Sequence, residues 1–402
     1  MLLRRHALIT SLSLVALTAC GSDSSGGAPG GPTPQDACAE LLETCLARQQ
    51  ACEVADGAAS CVACPSGHYA AASGHCARIE GASTAHEFEK FTVQPGEEVS
   101  GLCQSWTLQN AEALWVNAVE LSQDAASHHS NWTYVPANLY DGPDGVWPCS
   151  ERNYHQLSAA VSGGVLYAQS TQAAQEVQRF PNGAAVRIPP YARIIGDVHL
   201  LNTSPTPISG SVRLTLYTLP ESEVEVKLVP FHLTYHGLDL PPRATSRFSG
   251  ACKVSDAFQG ATGKPLEMDI YYLLPHYHTL GQRFFLEQLG GPDAGRAFFD
   301  GRGQEGEAKG RSYDPPQRVE NAEGFTFGCE FENPRSERVG WGLGDQEMCE
   351  ILGFADAAAA FESTVSTATP DGTDEHVQRF TGACGTLAFP WNHDKEGGPP
   401  PP

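Results

Sequence analysis

The sequence predicts an all-β protein: two tandem antiparallel β-sandwich (jelly-roll) domains, preceded by a small disulfide-rich module. Short alternating apolar and polar runs recur along most of the chain, the signature of strands with one buried face. Turn residues punctuate these runs, with 41 Gly and 29 Pro in 402 residues, and helical periodicity is scarce. Six of the 13 Cys crowd between Cys38 and Cys76, the density of a small domain stapled by disulfides.

A chain of 402 residues exceeds one ordinary core. Hydrophobic content of 41% excludes wholesale disorder. A net charge of −22 excludes nucleic acid as a partner, because phosphate binding needs a basic surface.

Taken in order, residues 1–20 read as a signal peptide. Arg4 and Arg5 precede a short apolar run, Ala7 to Leu17, too short to span a bilayer as a mature helix. Leu17-Thr18-Ala19-Cys20 resembles the lipobox of bacterial lipoproteins. That resemblance implies a lipidated Cys20, and a bacterial cell envelope reached through the anchor alone, on its periplasmic or outer surface. Removing Cys20 leaves 12 Cys, enough for six bridges in an oxidising compartment. Residues 21–36, rich in Gly, Ser and Pro, read as a flexible linker. Residues 37–80 form the Cys-rich module. Its stretch from Cys61 to Cys76 resembles EGF-like repeats; a zinc site made of Cys61, Cys64, His68 and Cys76 is the alternative.

Residues 86–221 and 222–389 are expected to form the two sandwiches, with a joint at Leu219-Pro220-Glu221-Ser222. Val212, Leu214 and Leu216 share one face of a strand; Val224, Val226 and Leu228 alternate with Glu223, Glu225 and Lys227 in another. Met268, Ile270, Tyr272 and Leu274 line one face of a third. Asp356 to Phe361 is a short helix candidate. Residues 390–402 form a Pro-rich tail expected to be disordered.

Three histidine groups carry the chemistry. His128-His129 are adjacent, so on a regular strand they face opposite ways, and both reach one ion only if the backbone twists or bulges. In isolation they read as exposed polar residues. His199 sits in an apolar strand and alone reads as a core residue. His276-Tyr277-His278 places two imidazoles on one strand face about 7 Å apart, continuing the Met268 to Leu274 stripe. His232 and His236, four residues apart, read as structural.

In order, His128-His129, Val198-His199, His276-Tyr277-His278-Thr279-Leu280-Gly281 and Gly344-Asp345-Gln346-Glu347-Met348-Cys349 resemble the ascorbate-dependent type II copper monooxygenases, over residues 88 to 389. This family includes peptidylglycine α-hydroxylating monooxygenase and dopamine β-monooxygenase. The resemblance implies two coppers per chain. His128, His129 and His199 would hold an electron-transfer copper, and His276, His278 and Met348 the copper that activates O₂. The donor types agree: imidazole suits copper, and a soft thioether favours Cu(I). Only Met268 and Met348 follow the initiator. The resemblance further implies bridges Cys103–Cys149 and Cys329–Cys349, which leaves Cys252 and Cys384 to tie the start and end of the second domain, and it implies ascorbate as reductant, a small-molecule substrate, and coppers kept apart across a solvent-filled cleft. Where the peptide-amidating members clamp a carboxylate with Arg, Asn and Tyr, this chain has Leu274, Glu350 and Leu352. A C-terminal glycine peptide is therefore not the expected substrate; a neutral or cationic small molecule fits Glu350 better. A copper-binding protein without turnover is the alternative.

Overall fold

The computed structural model describes residues 34–169, 173–302, 309–342 and 345–394. The signal peptide, Cys20, most of the linker, Gly344 and residues 395–402 lie outside the described residues. No helix among the described residues is long and apolar enough to cross a membrane.

Two β-sandwiches of jelly-roll kind make up the body of the molecule. In the first, one sheet runs in the order Gly145–Pro148, Glu98–Thr107, Ala192–Leu201, Ser127–Pro136, Gly164–Ala168. The facing sheet runs Val226–Lys227, Ala184–Ile188, Leu114–Gln123, Val212–Leu219, Ala82–Glu87. Between them lie buried Trp132, Val116, Leu121, Ile194, Leu214 and Leu216. The expected stripe of Val212, Leu214 and Leu216 is fully buried.

The second sandwich is built around one long strand, Val377–Pro390. Its first half pairs with Ala244–Lys253 and its second half with Ala359–Val365, so it crosses from one sheet to the other. Pairing is antiparallel except where Val377–Pro390 runs beside Ala244–Lys253 and Val229–Tyr235 beside Ala359–Val365. Phenylalanines dominate the core, including Phe231, Phe248, Phe284, Phe325, Phe327 and Phe331.

In front sits the Cys-rich module, closed by Cys38–Cys52, Cys45–Cys61 and Cys64–Cys76. All three cysteines of the zinc alternative are thus consumed in bridges. The module docks through Glu120 of the first sandwich, whose carboxylate accepts hydrogen bonds from the Gly67 N–H, Gln175 and the Tyr217 hydroxyl.

Several expectations are corrected. Asp356 to Phe361 is not helical: it lies in strands Glu350–Ala357 and Ala359–Val365. Its alanines favour a helix locally, but the neighbouring strands bury Ala355, Ala359, Ala360 and Phe361, and tertiary pairing prevails. The 223–228 run is a strand only at Val226–Lys227, which pairs with Ala184–Ile188 of the first sandwich. Pairing of the first domain therefore continues past the joint anticipated at 219–222. Its sheet also starts earlier than residue 86, at Ala82. The Met268 to Leu274 stripe is broken by a bulge: Ile270 opposes Ala355 and Tyr272 opposes Phe354, leaving Tyr271 as the extra residue. One extra residue exchanges the faces of everything beyond it. Met268, Ile270, Leu273 and Tyr277 enter the core of the second sandwich, whereas Tyr272 and Leu274 join the core of the first.

Candidate metal centre

The same bulge positions the site. His276 follows Tyr272 and Leu274 in period two, so it projects toward the first sandwich instead of into its own. There it meets the other histidines.

His129 and His199 are direct partners across the ladder between Ser127–Pro136 and Ala192–Leu201. The next paired residues are Ser127 and Leu200, so His128 is an extra, unpaired residue in a bulge. This is the twist that adjacent histidines need to face one point. On the other side of Ala192–Leu201, pairing to Glu98–Thr107 also shifts between Val198 and Leu200, near Gly101 with φ of 70°, a conformation glycine adopts without steric cost. The outcome is a compact triad. The candidate ligand atoms of His128, His129 and His199 all lie within 4.8 Å of one another, and His199 Nδ1 is 3.1 Å from His129 Nε2.

His276 and His278 stand beside this triad. Their ring centroids are 5.0 Å apart, and those of His276 and His278 lie 5.6 Å and 6.4 Å from that of His129. Five imidazoles thus form one cluster, not two groups across a cleft. The contact is sealed by apolar packing between the sandwiches, with Phe180 against Phe354 at 5.0 Å and against Tyr272 at 6.0 Å.

Met348 is carried by a braced turn. Glu347 accepts the backbone N–H groups of His278 and Leu280, each at 2.8 Å. The Gln346 carbonyl accepts from His278 Nδ1 at 2.8 Å. On the far side, Cys349 is bridged to Cys329, and Glu350 stands opposite His276 across the ladder. Met348, 9% exposed, therefore lies between two residues tied to the His276-His278 segment. The structure also forms Cys103–Cys149, a pair that the resemblance implies, and Cys252–Cys384, the pair left over.

One carboxylate and one backbone carbonyl, neither with an assigned role in the sequence, organise the imidazoles. Glu98 accepts from His199 Nε2 at 2.7 Å, which leaves His199 Nδ1 with its lone pair. The Gln346 carbonyl does the same for His278, whose Nε2 is buried without a hydrogen-bond partner among the described residues, as is His128 Nδ1. Buried imidazole nitrogens left bare, with the opposite nitrogen fixed by an acceptor, are what a metal site requires. Burial and the neighbouring imidazoles push His128 down to about 4, and burial lowers His129 and His278 as well. His128 thus stays neutral, the ligating form, well below neutral pH, and the shifts of the other two favour the same form. Glu347 lay inside the quoted motif and could have been noticed there. Glu98 has no sequence signal, since only the ladder brings it to His199.

No family model matches the chain, and no curated protein matches it. Among solved structures, the major capsid protein of bacteriophage PM2 is similar over 69% of this chain and 98% of its own, at 7% identity and a TM-score of 0.27. The cowpea mosaic virus top component is similar over 67% and 89%, at 8% identity and a TM-score of 0.31. Overlaps this loose carry no argument; the fold rests on the strand pairing itself.

The positions of the family's carboxylate clamp hold no clamp. Leu274 is buried in the first sandwich's core and Leu352 packs against it. Burial would raise Glu350, but hydrogen bonding and charge from His232 hold it down at about 2. Its carboxylate also accepts the Thr234 hydroxyl at 2.9 Å and lies 3.6 Å from His232 Nε2. His236 instead packs on Trp341, so His232 and His236 make no joint site.

Proposed function

We propose that the chain is a copper-dependent monooxygenase, hydroxylating a C–H bond of a small organic substrate with O₂ and an external reductant such as ascorbate. The observation that supports it most is the convergence of His128, His129, His199, His276 and His278, with bare buried nitrogens on His128 and His278. These donors fit copper. His128, His129 and His199 would hold one ion, and His276, His278 and Met348 the other. Bound copper would supply one-electron chemistry toward O₂. The chain's own residues prepare that chemistry: Glu98 and the Gln346 carbonyl set the ring tautomers, and Glu347 holds the turn that offers Met348. The two donor sets meet at His129 and His276 in one cluster, in place of the separated groups that the family resemblance implies.

Glu350 is committed to His232 and Thr234, and two leucines replace the rest of the clamp. The substrate in this reading is a small organic molecule other than a C-terminal glycine peptide. The reading includes a lipid anchor at Cys20 in a bacterial cell envelope, as the only contact with a membrane. Loss of acyl labelling in Cys20→Ser checks it.

A copper-binding protein without turnover is the second reading. The packing of Leu274 and Leu352 into the first sandwich's core favours it, since apolar core stands where substrate would be clamped. Copper per chain, measured together with oxygen uptake under ascorbate and a panel of amines, peptides and aromatics, separates the two. Substrate-dependent uptake supports the enzyme; two coppers without uptake for any substrate supports the binding protein.

A further inference from the structure

A concavity apart from the five clustered histidines, with His68 of the module in its lining, opens where the Cys-rich module meets both sandwiches. Its volume is about 810 Å³, within the range of small-molecule sites. Gln49 of the module builds the junction. Its side-chain carbonyl accepts the Val177 N–H of the first sandwich at 3.0 Å, and its amide donates to the Gly310 carbonyl of the second at 2.9 Å.

The walls differ in chemistry. The module contributes an apolar wall that includes Leu42, Leu46 and Tyr69. Cations come from all three bodies: Arg48, Arg179, Lys309 and Arg311. That is four of the 25 cations in a chain of net charge −22. None of the four forms an ion pair within 4.0 Å among the described residues. Arg179 lies over the Tyr69 ring at 4.0 Å, and its Nε is buried without a partner among the described residues. Three carboxylates also line the cavity, Glu43, Glu176 and Asp314. Asp314 accepts from Asn182 at 2.8 Å, Glu43 is exposed, and the buried Glu176 is offset by the charge of Lys309. Arg48, Arg179 and Arg311 remain without a counter-charge.

We propose that this cavity binds an amphipathic organic anion, with its apolar body against Leu42, Leu46 and Tyr69 and its carboxylate or phosphate toward the arginines. Nothing in this inference depends on copper. Because module and both sandwiches line the cavity, a bound anion would also hold the two histidine-bearing domains together.

Titration calorimetry on the full mature chain tests it, with octanoate as the amphipathic anion, succinate as an anion without an apolar body, and octylamine as the cationic counterpart. Octanoate is expected to bind saturably, and succinate and octylamine at least about tenfold more weakly. Arg179→Gln removes a charged hydrogen-bond donor and should weaken octanoate roughly tenfold or more. Arg48→Gln, at an exposed position, should weaken it without touching the Tyr69 contact. A circular-dichroism melt of each variant reports whether it folds. Absence of saturable octanoate binding by the unsubstituted chain overturns the proposal, as does equal affinity for octylamine. Unchanged octanoate affinity in both folded variants also overturns it.

Discussion

The two halves of the histidine cluster are built by different means. His128, His129 and His199 stand on two hydrogen-bonded strands, so ladder register and one bulge place all three. His276 ends its strand and His278 lies beyond it, so the two do not share a strand face as expected, and their third proposed partner, Met348, comes from a turn held by Glu347 and by the Cys329–Cys349 bridge. A site made by a ladder inherits the stiffness of its sheet. A site made by a strand end and a turn depends on the few bonds that hold the turn. The second half should therefore be the more easily broken, and it is the half to which oxygen chemistry is assigned.

The largest expected effect removes the one donor that the turn supplies. Met348→Ala should abolish substrate-dependent oxygen uptake while the chain retains copper on His128, His129 and His199. Full activity in that variant would break the assignment of the oxygen site. Next is Glu347→Gln. Its two carboxylate oxygens each accept a backbone N–H, and an amide can accept only one of them. Copper affinity at the His276-His278 half should fall by about 10–100-fold, read by competition with a chelator, with the triad unaffected. Glu98→Gln probes the stiffer half. Glu98 is partly exposed and acts on one ring only, so a loss near the low end, about tenfold, is expected at the triad. If Glu98→Gln costs more than Glu347→Gln, the contrast between ladder and turn is wrong.

How much of this could be read from the residues differs between the halves too. The strands and the module's disulfide character were legible, because alternation and cysteine density are local; two of the bridges around the sandwiches came through the family resemblance, and the third was the pair left over. The meeting of His276 with His129 was not. The stripe from Met268 reads as one face, and only pairing with Glu350–Ala357 reveals the extra residue Tyr271 that turns His276 outward. The bulge at His128 was foreseen as a condition, since adjacent imidazoles cannot otherwise converge. Asp356 to Phe361 was misread because alanine content speaks for helix while the neighbouring strands decide.

Two effects on stability ask what keeps the halves in register with each other. Burial raises Glu176, under the contact between the sandwiches, from 4.5 to about 7. The folded chain then holds this proton more tightly than the unfolded chain. Stability from this group is present below pH 4.5, declines as pH rises toward 7, and is lost above it. Against Glu176→Gln, the metal-free chain should lose roughly 2–4 kcal/mol across that window in urea titrations. A parallel pH dependence in the two proteins would remove Glu176 from the account. The smaller of the two is Gln49→Ala, which deletes one hydrogen bond to each sandwich and should cost about 1–2 kcal/mol in the same assay.

The central claim is that five imidazoles and Met348 hold two neighbouring copper ions, and electron paramagnetic resonance of the chain loaded with cupric ion addresses it most directly. With two equivalents bound, the spectrum should show magnetic coupling between the ions, and that coupling should vanish when His129 or His276 is replaced. Two magnetically isolated signals, or saturation at a single copper per chain, would contradict it.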